Sequence, residues 1–208
     1  MLRPYAGLLI FWSDADGGED GILSSLTRGG ANMARPLTPE LAEFWLQDIL
    51  LGSLKNESRT TKKVLEAVPA DRADYRPDAV SKTAMELVRH IAAVEMRFLE
   101  TTINAEFSTA GGLPENVKTP AEVAAWYSES FGRNFDKLTQ LKGDHLVKIT
   151  DFRGMFKLPA VAFLQVGMSH SIHHRGQLTS YLRSMGAKVP SIYGESYDDA
   201  QARKAAQA

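Results

Sequence analysis

No cysteine occurs anywhere in the 208 residues. A disulfide framework, a thiolate metal ligand and a cysteine nucleophile are thereby excluded, and any metal must be held by His, Asp or Glu. Long hydrophobic runs are missing as well. No window comes near the roughly 18 consecutive apolar residues that a membrane-spanning helix needs, so no membrane partner is expected. Charge of one sign is also lacking. The 24 Lys and Arg stand against 25 Asp and Glu, a formal net charge of −1, which leaves no basic field to attract a phosphate backbone. Nucleic acid is therefore not an expected partner. A hydrophobic share of 44% and a charged share of 24% describe an ordinary soluble globular chain, expected in the cytoplasm, and its length suits one domain.

The first 32 residues read differently from the rest. The apolar run Gly7-Leu8-Leu9-Ile10-Phe11-Trp12 is too short for a secretory leader and lacks a small-residue cleavage pattern after it. From Asp14 to Asn32 the chain is rich in Gly, Asp and Ser, a composition that cannot bury enough apolar surface to offset ordering entropy. Residues 1–32 are expected to be a mobile extension, and Met33, which opens straight onto helix signals, is expected to be the biological start.

Helix signals dominate residues 33–195. Thr38-Pro39-Glu40 places an N-cap hydroxyl before a first-turn proline, with apolar residues recurring at Leu41, Trp45, Ile49 and at Leu46, Leu50, Leu54; a first helix over about 39–67 follows. Pro69 and the stretch Asp74 to Asp78 break it. Thr83 with Glu86 fits a capping box, and Leu87, Ile91, Val94 and Phe98 share one face of a second helix over about 82–102. Thr119-Pro120-Ala121-Glu122 starts a third helix that runs to about Leu141. The stretch Ile149 to Leu158 has no helical period and predicts an irregular crossing with a short extended piece. Pro159 is expected to open a fourth helix that ends near Gly186. Residues 196–208 are expected to be a tail whose Ala-rich end, Ala200 to Ala208, frays. Long helices without strand alternation indicate an all-α fold built around one core, a four-helix bundle.

Three of the five histidines, His170, His173 and His174, fall within five residues of the fourth helix. At about 100° per residue His170 and His174 lie on one face, with Phe163, Gly167, Leu178 and Tyr181, and point into the bundle. Imidazoles at i and i+4 can share one metal ion. Buried as a neutral pair without a shared partner they would leave polar groups unsatisfied. His173 stands at the edge of the apolar arc, at the rim of the site. On the second helix His90 lies at the border of the inward face; it either supplies a third ligand or is a core histidine bonded to a carbonyl. Three imidazoles would leave a coordination position open for water or substrate, as in catalytic rather than structural zinc sites. Two familiar metal motifs are excluded. Ser171 stands where a zincin helix needs glutamate, and no Glu-x-x-His pair of the di-iron type is present. Arg175, Gly176 and Gln177 read equally as a surface salt-bridge residue, a close helix contact and a solvated amide, or as parts of the site. Glu86 and Glu95 are expected on the solvated face, the alternative being that one of them orients an imidazole.

The segments Glu86-Leu87-Val88-Arg89-His90-Ile91-Ala92 and His170-Ser171-Ile172-His173-His174-Arg175-Gly176-Gln177-Leu178 resemble the DinB-like (damage-inducible) superfamily. Tyr75-Arg76-Pro77 and Ile192-Tyr193-Gly194 are similar to further pieces of that family, and the likeness spans most of residues 38–195. The resemblance implies a DinB-like four-helix bundle with a divalent ion, zinc or nickel, on His90, His170 and His174. It also implies activity as a thiol S-transferase or detoxifying enzyme that uses a low-molecular-weight thiol and a small-molecule substrate, with Arg175 or Tyr181 as anchors for the substrate. A metal-dependent hydrolase and a non-enzymatic, metal-stabilised binding protein remain as alternatives. A homodimer is expected because Val161, Leu164, Met168, Ile172 and Leu182 make the fourth helix apolar over much of its circumference, as in a central or interfacial helix.

Overall fold

The computed structural model describes residues 36–107 and 112–207. The expectations for residues 1–32 and for Met33 lie outside the described residues. The order of elements is α1 (Pro39–Phe44), a π-helical turn (Trp45–Leu50), α2 (Leu51–Glu66), a 3-10 turn (Ala70–Arg72), α3 (Ala84–Asn104), α4 (Pro120–Leu138), α5 (Gly143–Leu146), β1 (Ile149–Phe152), β2 (Phe156–Pro159), α6 (Ala162–Ser184) and α7 (Tyr197–Ala205). The first three follow one another without a break and act as one long helix. With α3, α4 and α6 it makes a four-helix bundle in which α3 packs on α4 and α6, and α2 packs on the same two.

The helix starts are where the capping residues put them. Thr38 Oγ1 accepts from the Leu41 amide at 3.3 Å, and Pro39 occupies the first helical position, where its missing N–H costs nothing. Both capping boxes close: Thr83 with Glu86 at 3.1 and 2.7 Å, and Thr119 with Glu122 at 3.2 and 2.9 Å. Each box satisfies two amides that a helix end otherwise leaves open. Past α6, Gly186 adopts φ 70°, the left-handed conformation that ends a helix at little cost to glycine.

Of the two apolar series read on the first helix, Leu46, Leu50 and Leu54 enter the core, whereas Leu41 and Ile49 stay about half exposed at 54% and 49%. On α3 the expected face is buried in full, from Leu87 through Ile91 and Val94 to Phe98. The apolar arc of α6 is covered from within the monomer: Val161, Leu164 and Leu182 are at most 1% exposed and Met168 7%, and only Ile172 reaches solvent, at 40%. α6 is thus the central helix of the bundle.

Three segments differ from the sequence expectation. The stretch after α5 is an antiparallel hairpin, with Ile149 paired to Pro159 and Phe152 to Phe156. Arg153 and Gly154 take φ of 56° and 75° at its tip, the mirror-image turn that suits the twist of paired strands. Four-residue strands are too short to show a period of two. Pro159 closes this hairpin and does not open a helix; α6 begins at Ala162, after the Ala160 and Val161 amides donate to the Lys148 and Leu146 carbonyls. Residues 197–205, expected within a fraying tail, are helical, because Ser196 caps the Asp199 amide at 3.1 Å and Asp198 ties Arg183 to the Val189 amide.

The hairpin matters for what lies beside it. Phe152 and Phe156 stack with Phe98 and Phe163 at 5.9 and 6.2 Å, closing one end of the contact between α3 and α6. There a Cβ on Gly167 would stand 2.8 Å from the Phe98 Cβ. Only glycine lets the two helices come this near.

Candidate metal centre

Gly167 lies one turn before His170, so the close approach of α3 and α6 governs how their side chains meet. His90 from α3 and His170 and His174 from α6 converge there. The His90 Nε2 lies 3.1 Å from the His170 Nε2 and 3.2 Å from the His174 Nε2. Ligand atoms of all three lie within 4.8 Å of one another. His170 and His174 are buried, and His90 is half-buried, so the group is closed on the core side and open on one flank.

These distances match the demands of a shared ion. Imidazole nitrogens about 2.0–2.1 Å from one tetrahedral centre are themselves about 3.3 Å apart. The protonation pattern fits as well. The His174 Nδ1 faces the Gln177 Oε1 at 3.0 Å, and an amide oxygen can only accept, so Nδ1 carries the hydrogen and Nε2 is left with its lone pair. Phe98 borders the group with its ring 6.2 Å from that of His170. Burial, followed by the neighbouring His174, His90 and His173, pushes the His170 pKa down from 6.5 to about 2, which keeps that imidazole in the neutral form a metal requires. The three residues fit a divalent ion.

The other residues singled out in the sequence are distributed around this centre. His173 is exposed and stands at the rim, its ring 4.8 Å from that of His174. Gln177 holds His174. The Tyr181 hydroxyl is buried without a hydrogen-bond partner, and its ring meets Tyr75 edge-on at 5.7 Å. Arg175 is not a surface residue: only 1% exposed, it donates to the Glu57 carboxylate, to the Glu57 carbonyl at 3.1 Å and to the Tyr193 hydroxyl at 2.8 Å. Glu86 serves as the capping acid of α3.

Glu95 corrects the sequence reading outright. It is buried, 3% exposed, and accepts from Tyr127 Oη and Ser171 Oγ, both at 2.6 Å, and from Thr61 at 3.5 Å. Burial raises its pKa, and the bonds from Ser171 and Tyr127 oppose the rise. Because Ser171 follows His170 directly, this bond fixes the rotation of α6 about its own axis and so the aim of both α6 histidines. Neither Glu95, Tyr127 and Ser171 nor Glu57 and Tyr193 stood out as a group in the sequence. The available signal was an acid inside Ile91-Ala92-Ala93-Val94-Glu95-Met96.

A comparison with known proteins decides the family. The DinB family matches residues 41–206. The chain belongs to the DinB family. Among its relatives is the uncharacterised protein YjoA of Bacillus subtilis strain 168, 32% identical over 138 residues that cover 66% of this chain and 89% of YjoA. The crystal structure of the DinB-like YjoA from Bacillus subtilis superposes with a TM-score of 0.60 at 26% identity, covering 71% of this chain and 99% of that one. A DinB-like protein from Bacillus cereus ATCC 10987 superposes with a TM-score of 0.53 at 21% identity, over 76% and 99% of the two chains, and supports the fold alone.

Two outcomes are expected of this DinB centre. His90→Ala, His170→Ala and His174→Ala each abolish stoichiometric zinc binding in equilibrium dialysis, Gln177→Ala weakens it by about 10–100-fold, and His145→Ala leaves it unchanged because His145 faces the Thr102 carbonyl at 2.9 Å. Equal metal content in all five variants would refute the site. The second outcome concerns acid. With the folded pKa of His170 below its ordinary value, the unfolded chain binds a proton that the folded chain does not, from about pH 6.5 downward. The stability contribution is complete above that pH and is lost as pH falls below it. The metal-free protein should therefore unfold at lower urea at pH 5.5 than at pH 7.5, with a smaller difference in His170→Ala; a midpoint that rises with acid contradicts the neutral imidazole.

Proposed function

We propose that this DinB protein is a metal-dependent transferase that joins a low-molecular-weight thiol to an electrophilic small molecule, with zinc or nickel held by His90, His170 and His174. The observation that carries this reading is the convergence of three imidazole Nε2 atoms at 3.1 and 3.2 Å on a half-open flank. A bound divalent ion supplies Lewis acidity, which keeps a coordinated thiol in its thiolate form at neutral pH. The chain itself offers no thiol, so the sulfur must come from a cosubstrate. Its residues do the positioning. Gln177 fixes the His174 tautomer, burial keeps His170 neutral, and Arg175, locked to Glu57 and Tyr193, steadies the turn of α6 that carries His174. Tyr181, seven residues beyond His174 on the same face, holds a buried hydroxyl ready to donate to a polar group of the substrate. His173 lines the approach.

Metal-dependent hydrolysis is the competing chemistry. Glu95, the buried acid that could assist such chemistry as a general base, is already engaged by Ser171 and Tyr127. We place the protein in the cytoplasm, where small thiols are kept reduced, and as a homodimer through the apolar face of Leu41, Phe44 and Ile49, each about half exposed.

Turnover of a model electrophile such as 1-chloro-2,4-dinitrobenzene should require both added thiol and metal, and should vanish in His174→Ala. Thiol-independent turnover of an ester by the metal-loaded protein would favour hydrolysis. Light scattering should give twice the chain mass of 22.9 kDa, and Phe44→Glu should return the chain to a monomer; a single-chain mass for the wild type at micromolar concentration excludes the dimer.

A further inference from the structure

The metal centre leaves unexplained a group of cations between α3 and α4. A cleft of about 290 Å³ there is lined by Arg97, Arg133, Lys137 and Glu100, with Trp126 and Asn134 among its walls. Three cations thus face one carboxylate. Arg133 is held by Ser130 at 2.9 Å and by the exposed Glu129 carboxylate at 3.9 Å, and neither Arg97 nor Lys137 forms an ion pair among the described residues. The Arg97 Nε is shielded from solvent and has no hydrogen-bond partner. A buried guanidinium N–H without an acceptor is costly, and native proteins rarely keep one without a reason. Asn134 repeats the pattern: it is 6% exposed, and its amide nitrogen reaches only the Met96 sulfur at 3.8 Å, a weak acceptor. Arg133 and Lys137 stand four residues apart on α4, where like charges repel. An anion here would give Arg97, Asn134 and Lys137 the acceptor they lack and would offset the repulsion between Lys137 and Arg133.

We propose that this cleft binds a small organic anion, a carboxylate or a phosphate ester, with its charged group among Arg97, Arg133 and Lys137 and its body against Trp126. The volume is at the lower limit of ligand pockets, which run from about 300 Å³, so the ligand is of metabolite size. Arg97 lies seven residues beyond His90, on the same face of α3 and about 10.5 Å along its axis. The cleft is therefore a separate site from the histidine group, and its occupancy does not depend on the metal.

Isothermal titration of the metal-loaded full chain with phenyl phosphate and with benzoate, at constant ionic strength, tests this. At least one probe should bind saturably with Kd below about 1 mM, and the tighter of the two tells phosphate from carboxylate. Arg97→Gln and Lys137→Gln should each weaken binding by about tenfold or more, Glu100→Gln should tighten it, and His170→Ala should leave it unchanged. Arg133→Gln replaces either cation variant that fails to match the wild-type far-UV circular dichroism. The proposal is overturned if neither probe binds beyond what sodium chloride produces, if the cation variants bind as the wild type does, or if binding is lost in His170→Ala, which would place the probes on the metal. The last result would leave the metal reading intact.

Discussion

The contact between α3 and α6 sets the terms for everything else in the bundle. At Gly167 the helices approach so closely that one additional carbon would meet Phe98 at 2.8 Å, and a turn further along they carry His90 against His170 and His174. Distance alone does not aim a side chain, however; the rotation of each helix must also be fixed. Apolar packing is weakly directional, and a helix coated with apolar residues can roll between alternatives of similar energy. The buried bond from Ser171 to Glu95 removes that freedom for α6, and the bond from Tyr127 of α4 holds Glu95 in place to receive it. A rolled α6 would take Ser171 away from the buried Glu95 carboxylate, which would keep only its bonds from Tyr127 of α4 and Thr61 of α2, a cost that apolar contacts do not easily recover.

A second polar lock acts one turn further along the same side of α6. Arg175, adjacent to His174, is buried against Glu57 of α2 and the Tyr193 hydroxyl, and Tyr193 also donates to Glu57 at 2.9 Å. Removing one partner of such a buried pair costs about 3–5 kcal/mol, because the other charge is left uncompensated. The run His174-Arg175-Gly176-Gln177 thereby acquires separate duties within one turn: His174 faces the centre, Gln177 sets its tautomer, and Arg175 binds the helix to α2 and to the segment beyond Gly186. The cluster of Phe98, Phe152, Phe156 and Phe163 closes the end of the helix pair next to His170.

Local signals were legible in the sequence because their physics is local. Thr38, Thr83 and Thr119 announced helix starts through bonds that span three residues, and the period of Leu87, Ile91, Val94 and Phe98 announced a buried face. His170 and His174 could be paired from spacing alone, whereas His90, 80 positions earlier, could be assigned to them only through a family resemblance. What escaped notice depends on long-range burial. Glu95 resembles any solvated helix acid until Ser171, 76 residues on, is placed above it, and Arg175 resembles a surface cation until Glu57 and Tyr193 surround it. The hairpin was hidden because strands of four residues are too short to display a period, and Pro159 serves as well to end one as to begin a helix.

Everything proposed for this site depends on the three converging imidazoles forming one ligand set for one ion. X-ray absorption at the zinc edge of the reconstituted full-length protein measures this directly, since imidazole produces a distinctive outer-shell scattering pattern. Three imidazole nitrogens are expected at about 2.0–2.1 Å, with the remaining coordination from light atoms of solvent, and replacement of one light atom by sulfur at about 2.3 Å when a small thiol is added. A first shell dominated by carboxylate oxygen, or a spectrum unchanged in His90→Ala, would contradict that ligand set.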